Sequence, residues 1–299
     1  MTDSSVKPLA VAILGSGNIG SDLLSKVMRS SLLECNLFVG RSLTSRGMAH
    51  ANQLGVPVSD RSIEAILENP DACDLVFDAT SALSHPRHSA LLRELGKVVV
   101  DLTPSNVGEM CVPAVNLEAA LSFPDVNMVT CGGQASIPLA RAIADVHPEI
   151  EYIEVVSQIA SRSAGPATRL NLDEYIETTE RALLKFTGCH RAKAILNLNP
   201  AQPPVDMQTT VLALIESPDV DAITRSVHAM TRRVREYVPG YDLLIEPTVE
   251  NGRLMVMVRV RGLGDFLPPY AGNLDIINCA AIAIAERHAV ARASGGGQR

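Results

Sequence analysis

The hexapeptide GSGNIG, at residues 15–20, constrains the fold of this chain more than any other stretch. It follows the continuous apolar run LAVAIL and opens NIGSDLLSKVMRS, whose apolar residues recur at helical spacing. In that setting each glycine has its own task. Gly15 permits a tight strand-to-helix turn, Gly17 lets the backbone approach a pyrophosphate, and Gly20 lets the helix pack closely on the strand. The first turn of the helix then offers unpaired N–H groups to phosphate charge. The motif predicts dinucleotide binding by Gly15, Ser16, Gly17, Asn18, Ile19 and Gly20.

The segments that follow extend the same pattern. NLFVG, DLVFDAT, KVVVDLT and VNMVT read as short buried strands, and SRGMAHANQLG and SIEAILEN as helices between them. Alternating strands and helices imply an α/β fold with a doubly wound parallel sheet, a Rossmann domain. Hydrophobic residues make up 46% of the 299 and Trp is absent, so Ile, Val, Leu and Ala must fill the core, as such sheets require. Beyond about residue 148 the pattern changes. EIEYIEVVSQIAS, KAILNLN and MQTTVLALIE read as strands, LDEYIETTERALLKF and residues 218–237 as helices, and LLIEPTVENGRLMVMVRVRG as a hairpin turning at Asn251-Gly252. Helices on an antiparallel sheet predict a second, α+β domain. A final helix from about Asp275 to Ala293 is apolar on most sides near its start and is expected to return to the first domain. The predicted division is 1–131 plus 275–299 and 132–274, with SGGGQR at the end read as disordered.

A net charge of −7 without a long basic run argues against a nucleic-acid partner. The N-terminus has no apolar signal core, and no apolar stretch approaches the ~20 residues that span a bilayer. Six scattered cysteines without metal-ligand spacing read as reduced thiols of a cytoplasmic protein, with no metal site.

Two local features bear on chemistry. After the second strand, where an acidic residue usually takes the ribose hydroxyls, the chain reads GRSLTSRG. Arg41 and Ser42 stand in that place and would accept a 2′-phosphate, which leaves NADP open beside NAD. The other feature is NMVTCGGQASIP, where Cys131 ends an apolar run at the carboxyl edge of the predicted sheet. Gly132 and Gly133 bare the backbone beside it, Ser136 is expected to cap the next helix, and Pro138 to lie in its first turn. A thiol there is expected to have a lowered pKa and to act as a nucleophile. Cys35, Cys73, Cys111, Cys189 and Cys279 read as structural. His85 and His88, in SHPRHSALL, read as a solvated helix start.

A cysteine nucleophile beside a nicotinamide implies aldehyde oxidation through a thioester, released by water, phosphate or coenzyme A. The residues alone do not choose among the three.

Almost end to end, the sequence resembles the acylating acetaldehyde dehydrogenases of the meta-cleavage type, which partner a 4-hydroxy-2-oxovalerate aldolase in aromatic catabolism. GSGNIG, DLVFDATSA, DLTP, NMVTCGGQASIP, SRSAGPATRLNLDEYIETT, YVPGYDLL and PPYAGNLDI carry the resemblance. It implies NAD and coenzyme A as cosubstrates, a short aldehyde such as acetaldehyde or propanal, and a glyceraldehyde-3-phosphate-dehydrogenase-like second domain used for homodimerisation. It further implies an acyl-thioester on Cys131, with Asn171 and Asn273 beside the reacting groups. Its cofactor segments fall on Ser16–Ile19, on Asn273, and on Ser163, Ala164, Gly165, Pro166, Ala167, Thr168, Arg169, Leu170 and Asn171. As helix caps, Asn171 and Asn273 have a purely structural reading as well.

The chain departs from the family pattern at Ser42, at Ala167 where a glycine is usual, and in a shorter loop before RLMVMVRV. It departs again at Thr209 in NPAQPPVDMQTT, where the resemblance implies an aspartate acting as base toward coenzyme A. Asp206 lies an odd number of residues away, which on a strand would point it to the other face. These departures leave two alternatives standing: a phosphorylating enzyme like the semialdehyde dehydrogenases, and a non-catalytic cofactor-binding partner of an aldolase.

Overall fold

The predicted buried strands of the first 130 residues lie side by side in one parallel sheet. The computed structural model describes residues 7–295. The first part of the chain runs β1 (Leu9–Leu14), α1 (Asn18–Val27), β2 (Leu33–Val39), α2 (Arg46–Gln53), β3 (Val58–Ser59), α3 (Glu64–Glu68), β4 (Leu75–Asp78), α4 (His85–Glu94) and β5 (Val98–Asp101). It continues through β6 (Glu109–Met110), α5 (Pro113–Ala120), β7 (Asp125–Asn127) and α6 (Cys131–Ala144). The seven strands are ordered β3-β2-β1-β4-β5-β7-β6, every pair parallel. The winding direction reverses between β1 and β4, and ligands of such sheets bind beyond the strand ends at that reversal.

The second part comprises β8 (Tyr152–Ala160), α7 (Pro166–Leu170), α8 (Leu172–Thr187), β9 (Arg191–Asn199), β10 (Met207–Leu214), α9 (Val220–Arg235), β11 (Tyr241–Glu250), β12 (Arg253–Val260) and α10 (Gly272–Gly295). Its five-stranded sheet is ordered β11-β12-β10-β8-β9. It is mixed rather than antiparallel, because β8 and β9 run parallel with α8 as the crossover. The β11–β12 turn has Asn251 and Gly252 both at positive φ, 50° and 72°, as a type I′ turn demands.

Helix α10 starts three residues before the expected Asp275. A Cβ on Gly272 would sit 2.0 Å from the Val260 carbonyl oxygen, so the helix begins against β12 at a point only glycine fits. Ile276, Ile277, Ala280, Ala281, Ile284 and Ala285 are buried along it, and it packs on both α1 and α6. The helix runs to Gly295, and residues 296–299 of the tail read as disordered lie outside the described residues. Among the described residues no helix is long and apolar enough to cross a membrane.

Candidate active site

The glycine loop is shaped for an anion. Gly15 has φ +121°, and a Cβ there would lie 2.5 Å from the Ala79 carbonyl oxygen at the end of β4. A Cβ on Gly20 would lie 1.9 Å from the Gly15 carbonyl oxygen, so helix and turn touch. Gly17 faces open space as the N-cap of α1, whose first turn carries no acidic residue. That combination of a bared backbone and uncapped N–H groups fits a pyrophosphate. Gly165, from the segment before α7, comes within 3.8 Å of the Asn18 side chain, measured from its ideal Cβ. The Asn278 side chain in α10 donates to the Ile19 carbonyl at 3.2 Å. Segments far apart in sequence thus meet at this loop.

Arg41 and Ser42 are exposed just beyond β2. Ser42 Oγ lies 2.9 Å from Thr44 Oγ1, and Ser45 reaches back to Ser16 Oγ at 3.2 Å. Ser163 is buried and donates to the Ala160 carbonyl, and Ala164 is buried next to it. Arg169 donates to the Ala164 carbonyl and to Ser161, while Leu170 is exposed. Thr168 is half-buried, and the side chains of Pro166 and Ala167 lie outside the described residues.

At the cysteine corner the helix begins earlier than expected. Thr130, extended at φ −146° and ψ 164°, is the N-cap, and its hydroxyl accepts from Gly133 N–H at 2.9 Å. Cys131 is therefore the first helical residue, and Pro138 falls inside the helix. Ser136 does not cap; its hydroxyl donates back to the Gly132 carbonyl. The reason is that Thr130 already supplies the cap, with Thr130 Oγ1 and Thr179 Oγ1 2.7 Å apart and Thr179 donating to the Tyr175 carbonyl. One residue before the cap, Val129 has φ 59°, a left-handed conformation that a β-branched residue rarely holds. The Asn127 carboxamide oxygen accepts from Val129 N–H at 2.9 Å and stabilises the bend.

The thiol differs from expectation in one respect. Burial pushes Cys131 up to about 11 rather than down. The Tyr175 hydroxyl and the N–H groups of Gly132 and Cys131 oppose that push without overcoming it. The other five cysteines are buried; burial pushes Cys35 and Cys111 up to about 12 and Cys73 to about 11.

The two asparagines part company. Asn171 occupies the N-cap position of α8 but its side chain makes no capping hydrogen bond. Asn273 is the second residue of α10, 1% exposed, and both atoms of its carboxamide lack a hydrogen-bond partner. Among the described residues nothing meets either need of this amide, which leaves it open to a water or a ligand. Thr209 is fully buried on β10, and its hydroxyl lies 3.0 Å from that of Ser157 on β8. Asp206 precedes β10, so strand alternation does not set its direction.

Two buried charge clusters escaped the sequence reading. His85 and His88 are not solvated. Both donate to Asp78 Oδ2, at 2.9 and 2.8 Å, and His85 Nε2 faces Asp101 and Asp125 at 3.4 and 3.3 Å. These carboxylates push His85 up to about 10 against its desolvation, while burial raises Asp101 to about 7. The signal available was three aspartates at or near the ends of predicted strands, positions where an unpaired carboxylate would be buried. The second cluster centres on Lys26, which donates to Asp22, Asp265 and Asp275 at 2.7–2.9 Å and ties α1 to the segment leading into Asn273.

The model of the prokaryotic acetaldehyde dehydrogenase dimerisation family matches residues 131–268. The chain is 59% identical over 282 residues to acetaldehyde dehydrogenase of Pectobacterium atrosepticum, covering 94% of this chain and 95% of that one. It is 60% identical over 285 residues to acetaldehyde dehydrogenase of Spirochaeta aurantia, covering 95% and 96%. In three dimensions it is similar to aspartate semialdehyde dehydrogenase with NADP from Candida albicans, at TM-score 0.65 and 13% identity over 96% of this chain and 99% of that one. The Vibrio cholerae aspartate semialdehyde dehydrogenase II gives TM-score 0.63 at 15% identity, with the same coverage. At such identities the likeness is one of fold.

Proposed function

Because the chain belongs to the acetaldehyde dehydrogenase family, we propose that it converts a short aldehyde and coenzyme A to an acyl-CoA through a thioester on Cys131. The observation that carries this reading is the placement of Cys131 as first residue of α6, at a strained corner, on a sheet whose opening turn fits a pyrophosphate; Gly132 and Gly133 do not bare that corner as expected but are buried, Gly132 against the Tyr175 hydroxyl. The Cys131 thiolate adds to the aldehyde carbonyl, giving a hemithioacetal oxyanion. A bound nicotinamide dinucleotide supplies the hydride acceptor, and loss of hydride leaves the acyl group on sulfur. The coenzyme A thiolate then attacks the thioester carbonyl and Cys131 leaves as thiolate. Two electrons leave the aldehyde as hydride, and the thiol proton of coenzyme A goes to solvent.

The chain's own groups divide the work. Backbone N–H groups at the start of α6 face the developing oxyanion. The orphaned carboxamide of Asn273 is complementary to another amide or to that oxyanion, and Asn171 flanks the site at the start of α8. Ser16–Gly20 and Ser163–Asn171 hold the dinucleotide, and Arg41 with Ser42 accepts NADP as well as NAD. Thr209, whose hydroxyl is not a useful base at neutral pH, leaves thiolysis slow.

We place the domain limits at 1–131 with 275–299 and at 132–274, in a cytoplasmic enzyme. The outer face of the five-stranded sheet carries half-buried Val156, Leu212, Leu214, Met255 and Met257. That apolar face supports a homodimer, in keeping with the name of the matched family. An aldolase subunit is a further partner.

The test is a steady-state assay with acetaldehyde and propanal, with NAD and NADP in parallel, with and without coenzyme A. Stimulation by coenzyme A is expected. Stimulation by phosphate alone would move the phosphorylating alternative ahead, although among the described residues burial, Tyr175 and backbone N–H groups, and no histidine, act on the Cys131 sulfur. Absence of any turnover would leave the non-catalytic partner.

A further inference from the structure

Three hydroxyls from three elements converge beneath the nucleophile's corner. A Cβ on Gly132 would lie 1.9 Å from the Tyr175 hydroxyl and 2.9 Å from the Ser157 hydroxyl. Tyr175 comes from the first turns of α8 and Ser157 from β8, and both press on the backbone one residue beyond Cys131. Thr209 stands directly across from Ser157 in the β8–β10 ladder, its hydroxyl 3.0 Å away. All three residues are buried.

The phenol is the member with an unmet need. Its hydroxyl is buried and closes no well-formed hydrogen bond among the described residues, although it interacts with Ser157, the Gly132 N–H and the Cys131 sulfur. Burial and the neighbouring sulfur push its ionisation well above the usual tyrosine range, so it keeps its proton. Among the described residues no charged side chain acts on the sulfur; the other influences are burial and the two N–H groups of Gly132 and Cys131. A neutral donor whose acceptor is a sulfur that carries charge only transiently has one evident use.

We propose that Tyr175 donates a hydrogen bond to the Cys131 sulfur whenever that sulfur is anionic, and that the Ser157–Thr209 pair positions the phenol to do so. The inference rests on the reading of Cys131 as the acyl-carrying nucleophile. The sulfur is anionic before it attacks the aldehyde and again as it leaves the thioester, and it is neutral in between. The donor is engaged in those two states and idle in the others. Gly132 belongs to the same device, because any side chain there would displace the phenol. Position 209, where the family resemblance implies an acid, is then connected to the nucleophile through two hydroxyls.

The readout is the rate of Cys131 alkylation by iodoacetamide on the full chain, measured against pH and localised by mass spectrometry, with neither aldehyde nor cofactor present. Tyr175→Phe removes one oxygen and keeps the ring. Its profile is expected to move to higher pH, with alkylation about threefold to tenfold slower at any pH below the thiol's midpoint. Ser157→Ala and Thr209→Val leave the phenol in place and are expected to shift the profile the same way by less. A Tyr175→Phe profile that superimposes on wild type overturns the proposal, since a phenol that merely packs is replaced by phenylalanine without effect on ionisation. Should Tyr175→Phe fail to fold, unchanged profiles in both other variants overturn it instead. A shifted profile in a protein that coenzyme A does not stimulate would sink the proposed reaction and leave this inference standing. Stimulation with superimposable profiles would do the reverse.

Discussion

Two corners of the same sheet edge are finished in opposite ways. At the ends of β4 and β5, Asp78 and Asp101 face His85, and Asp78 also faces His88, all of them buried. At the end of β7, a hydroxyl and backbone N–H groups act on the Cys131 sulfur and, among the described residues, no charged side chain does. The first corner is held by ionic contacts, although His85 Nε2, 3.3–3.4 Å from two carboxylates, and Asp125 Oδ1 make no hydrogen bond among the described residues. The second has an unmet hydroxyl on Tyr175. Ionic contacts brace the first corner, and a neutral donor stands at the second. One residue joins them: the Asn127 side chain donates to Asp101 at 2.7 Å and accepts from Val129 N–H. The charged cluster thereby holds the bend that leads into Cys131.

Cys131→Ser cuts the site corner at its centre. Acyl transfer is expected to fall by about a thousandfold or more, because a serine hydroxyl without a neighbouring base stays protonated. Cofactor affinity, followed by dinucleotide fluorescence, is expected to stay near that of wild type, since the glycine loop is untouched. Substantial turnover by this variant would remove Cys131 from the chemistry.

His85→Gln breaks the brace. A buried histidinium among carboxylates, once lost, leaves those charges uncompensated, which costs about 3 kcal/mol. The sign with pH follows from His85 being pushed up to about 10. Its stabilisation is complete below the ordinary histidine value of about 6.5 and is lost as pH rises through about 10. Urea midpoints of wild type and variant are thus expected to converge on going from neutral to alkaline pH. A gap that widens would contradict the charged assignment.

Thr209→Asp places an acid at the far end of the hydroxyl chain. A buried carboxylate beside Ser157 has a raised pKa and can take the proton of the incoming thiol, so thiolysis is expected to accelerate by about tenfold or more. Hydride transfer should change little. Wild type should show a burst of reduced cofactor that the variant loses, and identical burst and steady-state phases in the two would exclude position 209 from thiolysis. The smallest effect is expected at Ser42→Asp, which lies outside both corners. Its carboxylate repels a 2′-phosphate, but exposure screens it, and a shift toward NAD of only several-fold is expected in kcat/KM ratios.

Much of the sheet was legible because its signals are local. GSGNIG between an apolar run and a helical one specifies β1, the turn and α1 together, and two glycines after a cysteine mark a corner by themselves. The parallel pairing of β8 with β9 was also legible in principle, since a strand, a helix and a strand in that order form a crossover unit. Other features depend on contacts that no local pattern announces. Tyr175 reads as one more apolar position on a helix, and only the approach of α8 to Gly132 gives its hydroxyl a purpose. His85 next to Pro86 reads as a solvated helix start, and only the convergence of strand ends brings carboxylates to it. The thiol's raised pKa has the same origin. Helix position favours the thiolate, and burial by distant segments outweighs it.

The left-handed Val129 fixes the trajectory on which the chain enters α6. A β-branched residue in that conformation carries a local strain of about 1–3 kcal/mol and persists only where its surroundings leave no softer choice. Here the surroundings are Asn127 and the rigid cluster behind it. The Cys131 sulfur is therefore aimed by the main chain before any ligand arrives, as a compass needle locked in its bearing rather than one that swings to the field. As the proposed nucleophile it would have little reorganisation left to perform at the moment of reaction, and selectivity would come from what surrounds the sulfur and not from moving it.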